Sequence, residues 1–455
     1  MLAFCAAAVL FTPPSAIQQT LATYVKAHPY AEVAVGVIDH GQVKIYFVRG
    51  TQAKAPLDET TQFQIGSITK VFTATILAQM VDAGEMKLDD PIQRYLPAGV
   101  TAPTFQGKPI TLLTLANHTS GLPVDPANLS QQNEAVYTTT MLYDALKSTK
   151  LSRAPGEKWD YSNFGFALLG QLLARKAQLS YDDLIKQRIL DPLGMNDTVV
   201  TGSAATTQKM PPAFQYGGAP SQAESLGARG PAGSIESDLK DMLVFLKANL
   251  DAPQGTLGRE LALTQQPRTP VKEWNMAMGL AWQTVLPATH RDANDLGDLA
   301  PGSIEKGGDT NGYSSIIALN HKDDWGVVAM TNVNDDDFQQ VVEHAVSPST
   351  ARMPTMWAIV EKTTTERSPF DGTYVIGTSK RVTLDIFKYK GDLYASIPMT
   401  TPGKLRPLGR NKFSWDAVQV TLTFHADPSG HVTSLTAVQG GRTMHAKRIH
   451  QEPGA

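Results

Sequence analysis

The chain has 455 residues, too many for one ordinary domain, and its 42% hydrophobic content supplies apolar surface for a sizeable core. A formal net charge of −3, without a dense basic cluster, argues against a polyanion-binding surface, so nucleic acid is not an expected partner. The single cysteine, Cys5, excludes an intrachain disulfide.

Met1 to Phe11 is an apolar run too short to span a bilayer, and Thr12-Pro13-Pro14-Ser15-Ala16 follows it. Residues 1–16 therefore resemble the h-region and cleavage zone of a secretory signal, which predicts a periplasmic or secreted protein. The basic n-region is missing, which suggests a truncated chain or a misassigned start. Two alternatives stay open: an ordinary apolar N-terminus of a cytosolic protein, and a lipid-modified Cys5, against which Phe4 counts. No other segment reads as a transmembrane helix.

Ile17 to Ala27 carries a helical pattern that His28-Pro29 breaks. Glu32 to Asp39 and Gln42 to Val48 are β-rich runs joined at His40-Gly41, an antiparallel hairpin. From Ser67 to about Ala83 apolar residues recur at helical spacing, and Gly84 suits the C′ position. Short helical stretches follow at Pro91–Leu96, Thr111–Ala116, Thr138–Leu146, Phe164–Lys176 and Tyr181–Ile189, so Leu88 to Met195 is expected to be mostly helical. Thr201 to Gly230 reads as an extended loop, Glu236 to Leu250 as a helix, and Gly279 to Val285 as one strand. Ser314–Leu319 and Trp325–Thr331 are strands flanking a turn at His321 to Asp324.

Strands near both ends of this region with helices between them predict an α+β fold whose N- and C-terminal strands pair in one antiparallel sheet. Residues 17–345 form this domain and residues 346–369 a linker. Residues 370–450 alternate as short strands, with Val382, Leu384 and Ile386, then Val418, Val420, Leu422 and Phe424, on one face. Turns at Lys390-Gly391, Asp427 to Gly430 and Gly440-Gly441 complete a small all-β meander barrel.

Ser67-Ile68-Thr69-Lys70 places a hydroxyl and an amine on one face of a helix start. A serine is a weak nucleophile until a base takes its proton, and an amine of lowered pKa serves that purpose. The spacing alone is weak, because Ser237 to Lys240 and Ser303 to Lys306 share it. Ser237 reads as a helix N-cap, and Ser303 leads into a strand that would turn the two side chains to opposite faces.

Two further elements strengthen the Ser67 reading. In Tyr161-Ser162-Asn163 a tyrosine beside lysine ammonium groups is expected to have a lowered pKa and to relay a proton, while the Asn163 amide suits a substrate amide. In Lys306-Gly307-Gly308 the glycines let a substrate backbone approach a strand edge, and the lysine adds positive potential. Singly, Tyr161 reads as a packed loop aromatic, Asn163 as an N-cap and Lys306 as a solvated charge. Together, and in this order, the three are specific.

Ser67-x-x-Lys70, Tyr161-x-Asn163 and Lys306-Gly307-Gly308 resemble the signature elements of the serine β-lactamase and penicillin-binding protein superfamily. Within it the pattern resembles class C β-lactamases, DD-peptidases and family VIII esterases. Leu115 to Pro123 and Ala232-Gly233-Ser234-Ile235 also match, and the tail resembles a lipocalin-like barrel.

The resemblance implies an acyl-enzyme on Ser67, with Lys70 and Tyr161 sharing the general-base work. It implies that Asn163, Lys306, Gly307 and Gly308 bind substrate, and that the N–H groups of Ser67 and Asp309 form the oxyanion hole. His118 and Ser120 match a turn that is mainly structural. Gly307 stands where a hydroxyl residue commonly helps to bind the substrate carboxylate, and Gln64 where class C enzymes carry an acid. Both departures favour a peptidase- or esterase-like member over a dedicated resistance enzyme, and a DD-peptidase-like or D-amino-acid-specific peptidase with weak β-lactam hydrolysis ranks first.

A carboxylesterase on the same scaffold is the alternative, although no Gly-x-Ser-x-Gly surrounds Ser67. A non-catalytic binding protein for cell-wall fragments is a distant third. The substrate is expected to be a small molecule or peptide, with no cofactor. No metal is implied, since the ten histidines are dispersed without ligand spacing.

Overall fold

The computed structural model describes residues 14–130, 132–200, 209–287, 299–335, 337–346, 368–376, 382–389, 392–396, 403–415, 420–439 and 442–448. The expected leader as far as Pro13, the bulk of the expected linker, Val418, and the turns at Lys390-Gly391 and Gly440-Gly441 lie outside them. So do residues 201–208 of the expected loop. The described residues up to 346 form one compact unit and those from 368 a second.

Eight strands build the sheet of the first unit: β1 (Glu32–Asp39), β2 (Gln42–Arg49), β3 (Thr269–Val271), β4 (Met276–Met278), β5 (Gln283–Val285), β6 (Ile304–Asp309), β7 (Ser314–Asn320) and β8 (Trp325–Thr331). They run in the order β2-β1-β8-β7-β6-β5-β4-β3, every pair antiparallel. The N-terminal hairpin therefore joins the C-terminal strands through β1 and β8, with Val33 opposite Thr331 and Asp39 opposite Trp325. This is the α+β arrangement expected from the pattern. The region read as one strand, Gly279 to Val285, departs from it: Gly279 N donates to Trp282 O (2.8 Å), and the chain turns there between β4 and β5. Ala281 takes the positive φ of this turn (67°), so no glycine or asparagine marked it.

Helices cover both faces. Pro14–Ala27 and Phe338–Val346 pack together on one side, where the Tyr24 and Phe338 rings are 5.3 Å apart. Leu239–Leu250 lies close on the other, because the two strands beneath it carry glycine there. A methyl group on Gly36 would come within 2.7 Å of Leu243, and one on Gly326 within 2.8 Å of Leu246. That helix begins later than its periodicity suggests, since Ile235–Ser237 is a strand paired with Phe63–Gln64 and with Val199–Val200. Its cap is Asp238, which accepts from Asp241 N (2.9 Å), and not Ser237, whose hydroxyl meets that of Thr198 at 2.8 Å.

The helix Thr69–Asp82 is buried on all sides as far as Met80, so its apolar stripe is only part of what it buries. Phe72 stacks on Phe245 (ring centroids 4.0 Å apart), and Thr75 returns its hydroxyl to Val71 O (2.8 Å). It ends as expected, with Gly84 at φ 72° and Glu85 N bonded to Met80 O (2.8 Å). The expected helical region holds Leu112–Ala116, Thr139–Ser148, Asn163–Ala177 and Tyr181–Ile185. Thr111, Thr138, Ser162 and Ser180 cap them by accepting a backbone N–H. Among the described residues no helix is long and apolar enough to cross a membrane.

The second unit is a nine-stranded antiparallel sheet. Its two end strands, Gly403–Lys404 and Arg406–Pro407, are consecutive in the chain around Leu405. The sheet therefore curls until its edges nearly meet, as in a barrel. Tyr374, Leu384, Ile386, Trp415, Leu422 and Phe424 are buried members of its core.

Asn163–Ala177 carries one tight contact that matters for the site. Gly170 faces Pro231, and a methyl group at 170 would overlap the proline ring. Alanine in mid-helix is normally worth about 1 kcal/mol over glycine, but forcing atoms into a filled contact costs about 1–3 kcal/mol. Gly170→Ala is accordingly expected to lower the melting temperature in a thermal unfolding experiment. A rise would show that the contact yields freely.

Candidate active site

Ser67 lies in the single 3₁₀ turn Gly66–Ile68, immediately before the buried helix Thr69–Asp82. Lys70, one turn on, is completely buried and donates from Nζ to Ser67 Oγ (2.8 Å) and to Ala232 O (2.6 Å). Tyr161 Oη meets Ser67 Oγ from another direction at 2.6 Å. Two side chains, one from the next helical turn and one 94 residues along the chain, thus converge on the Ser67 oxygen. Lys306 completes the group, its Nζ 5.1 Å from the centre of the Tyr161 ring, while Lys70 Nζ is 4.9 Å from the same ring.

The turn is held against β6. Ser315 Oγ on β7 lies 2.9 Å from Ile65 O and 3.1 Å from Gly308 O, and so staples the two segments together. Gly66 is at φ 49°, and a methyl group there would come within 2.6 Å of Asp309 N. One on Gly308 would come within 2.9 Å of Ser67 N. The two glycines are what permit this approach of the nucleophile turn to β6.

Burial first, and Lys306 second, hold the Lys70 amine well below the ordinary lysine value, while Asp125 and Glu224 pull it up. Burial also lowers Lys306, to about 8, against the pull of Glu305 and Asp309. Tyr161 goes the opposite way from the sequence expectation. Burial pushes its phenol up, the bond from Ser67 opposes this, and Asp309 and Asp125 add to the rise. Desolvation of a phenolate therefore outweighs whatever the two lysines contribute.

Ser162, not Asn163, caps the helix behind Tyr161, accepting from Gly165 N (2.9 Å). That leaves the Asn163 amide to approach Asp125 Oδ1 (3.5 Å). His118 braces the Tyr161 loop: its Nδ1 accepts from Ser162 N–H (3.0 Å), its carbonyl from Asp160 N–H (2.8 Å), and its ring lies 4.4 Å from that of Tyr161. Burial, then Lys306 and Lys70, push His118 well below its ordinary value, so it is a neutral imidazole. Its place is structural, as the motif suggested.

Other residues of the site had little or no signal in the sequence. Ala232 acts through its carbonyl, which any residue carries, although its tetrapeptide was noted as a match. Gln64 clasps the loop opposite with both ends of its amide, donating to Glu224 O (2.8 Å) and accepting from Glu224 N (2.8 Å). Its Nε2 is also 3.4 Å from Glu236 Oε1. Glu224 is raised to about 7 by burial and by Glu134, against Arg229. Arg229 itself is buried and pairs with Glu134 (2.6 Å) and Asp125 (3.8 Å). Isolated acids in loops 100 residues apart could not have been grouped by spacing.

A hydroxyl, a buried amine and a phenol meeting at the start of a helix under one antiparallel sheet define a serine hydrolase of the acyl-transferring kind. The sequence profile of the beta-lactamase family matches residues 17–347, and the chain belongs to that family. It is 31% identical over 283 residues to the D-alanyl-D-alanine-carboxypeptidase/endopeptidase AmpH of Escherichia coli (strain K12), covering 59% of this chain and 70% of that protein. It is 25% identical over 356 residues to a beta-lactamase of Pseudomonas fluorescens, covering 72% of this chain and 96% of that one. A beta-lactamase/D-alanine carboxypeptidase from Yersinia pestis, crystallised with citrate, superposes with a TM-score of 0.62 at 26% identity, over 73% of this chain and 96% of that one.

The Gln64 clasp needs a donor and an acceptor on one side chain, which an ionised acid does not offer. Gln64→Glu should therefore loosen residues 221–227, seen as faster amide hydrogen exchange there at neutral pH. The effect should shrink on acidification, as the new carboxyl gains a proton and regains a donor. Unchanged exchange at neutral pH would mean that the clasp does not hold the loop.

Proposed function

We propose that this chain is a DD-peptidase-like hydrolase that cleaves the bond between D-amino acids of cell-wall-type peptides through an acyl-enzyme on Ser67, with weak β-lactam hydrolysis alongside. The observation that carries the reading is the convergence of Lys70 Nζ and Tyr161 Oη on Ser67 Oγ. The name of the Escherichia coli relative supports the choice of bond.

In this mechanism Lys70, neutral because of its lowered pKa, accepts the Ser67 proton along the 2.8 Å contact as Oγ bonds to the substrate carbonyl carbon. The N–H groups of Ser67 and Asp309 receive the charge that develops on the carbonyl oxygen. Tyr161, held in its phenol form by burial, gives its proton to the leaving nitrogen as the C–N bond breaks, and the protonated Lys70 amine beside its ring returns a proton to it directly. Water then hydrolyses the Ser67 ester, losing a proton to the same pair, which passes one back to Ser67 Oγ as the ester bond breaks. Asn163 orients the substrate amide, and the peptide backbone lies along Lys306-Gly307-Gly308. A substrate of this kind and the apolar leader agree with a periplasmic or secreted location, which fractionation of expressing cells would test: protein confined to the cytosol would count against it.

A fluorophosphonate or fluorescent penicillin should label wild-type protein and leave Ser67→Ala unlabelled, while Tyr161→Phe should slow labelling by about 10²–10⁴-fold. Labelling that survives in Ser67→Ala would overturn the mechanism. Turnover of a short-chain p-nitrophenyl ester with none of a D-Ala-D-Ala peptide would replace the peptidase reading by an esterase.

The pH profile follows from the two lysines. Lys70 must be neutral, so kcat/KM rises with pH through its depressed pKa. Lys306 must be charged, and because its pKa is lowered from 10.5 to about 8, activity falls as pH passes that value. Lys306→Arg should move the alkaline limb beyond the measurable range. A limb that stays in place would assign it to another group.

A further inference from the structure

Strand β6 is paired with β7 along its whole length, from Ile304 opposite Leu319 to Asp309 opposite Ser314. Its other edge meets β5 only at Ile304 and Glu305. Among the described residues no strand takes up that edge from Lys306 to Asp309, where an extended peptide can add itself beside Ser67. Side chains alternate along a strand. Lys306 and Gly308 face Tyr161 and the nucleophile turn, whereas Gly307 and Asp309 face the helix Phe338–Val346.

On that second face the space of a side chain at 307 is already filled. A methyl group built on Gly307 would overlap the carboxamide of Gln339, whose Oε1 is its nearest atom. Gln339 Nε2 donates to Asp309 Oδ2 (3.0 Å), and this bond to a carboxylate decides which end of the amide is nitrogen. The carboxamide from the helix Phe338–Val346 thus stands where β6 has no side chain of its own. It brings a carbonyl oxygen, and Asp309 beside it brings a carboxylate. Both are acceptors. The Lys306 ammonium lies on the other face, over the Tyr161 ring.

We propose that Gln339 determines specificity at the leaving-group end of the cleft, favouring peptides in which the residue after the scissile bond is amide-capped or continues into further chain over those ending in a free carboxylate. An amide N–H arriving there meets acceptors, and a carboxylate meets acceptors and a like charge. This deepens the peptidase reading above and rests on it.

The test compares kcat/KM for an acyl-D-Ala-D-Ala peptide and for the same peptide with a C-terminal amide, using the full chain. Release of D-Ala or of D-Ala amide is followed directly. Wild type is expected to favour the amide by about tenfold, the size of one mismatched buried polar contact. Gln339→Ala should narrow that ratio. Gly307→Thr combined with Gln339→Ala, which removes the carboxamide and supplies a hydroxyl donor, should reverse it. Fluorophosphonate labelling of Ser67 to the same stoichiometry in all three proteins shows that the variants are folded. A wild-type preference for the free acid, or a ratio unmoved by either variant, would overturn the proposal and leave the peptidase reading standing. Labelling of Ser67 with neither peptide cleaved would remove the peptidase reading, and this proposal with it.

Discussion

The first unit is organised around one constraint, a lysine amine held entirely out of water beside the hydroxyl that the proposed mechanism has it deprotonate. Burial alone would make Lys70 expensive in its charged form, and Lys306 adds repulsion. Besides the Ser67 hydroxyl, the amine bonds to the backbone carbonyl of Ala232. That carbonyl belongs to the 3₁₀ turn Gly227–Ala232, which is set by the contact of Pro231 with Gly170 and by the hydroxyl of Thr73 on Pro231 O (2.8 Å). Helix, turn and lysine are thus one mechanical unit. A change in the packing of the helical region reaches the nucleophile without touching it.

The charges around this amine are balanced rather than merely present. Asp125 and Glu224 raise Lys70 while burial and Lys306 lower it, and Arg229 bridges two of the nearby acids, Glu134 and Asp125. Glu224 is itself held close to neutrality, at about 7, so its influence on Lys70 changes within the physiological range. The neutral His118 behind Tyr161 adds no charge to the sum. Three ionisable groups, Lys306, Asp125 and Glu224, therefore act with burial on the basicity of a fourth, while burial favours the phenol form of Tyr161.

The sequence showed the parts whose physics is local. A hairpin at His40-Gly41, strands on either side of His321 to Asp324, and a helix stopping at Gly84 each follow from periodicity and one turn residue. So did the three motif elements, because their order in the chain is itself a pattern. What escaped was non-local. The turn at Ala281 has no turn residue, and Asp238 displaced Ser237 as a cap because Ile235–Ser237 was claimed by a strand partner far away. Proximity to lysine predicted a more acidic Tyr161, but the depth of burial, which no motif encodes, reversed the sign. Gln339 was invisible for the same reason: its meaning comes from lying over a glycine 32 residues earlier.

The strand order carries a consequence for how the protein comes into being. β1 is made among the first residues and pairs with β8, whose residues emerge some 290 positions later. The staple from Ser315 onto the nucleophile turn belongs to the same late segment. Until the ribosome has passed that point, Ser67 lacks the staple that holds its turn against β6, and β1 waits with one edge bare. Assembly of the catalytic centre is therefore postponed to nearly the end of this unit's synthesis, a long-range closure of the kind that slows folding. A nascent chain that ends before β8 has Ser67 and Lys70 in their turn and helix but lacks the strand that closes the sheet onto β1.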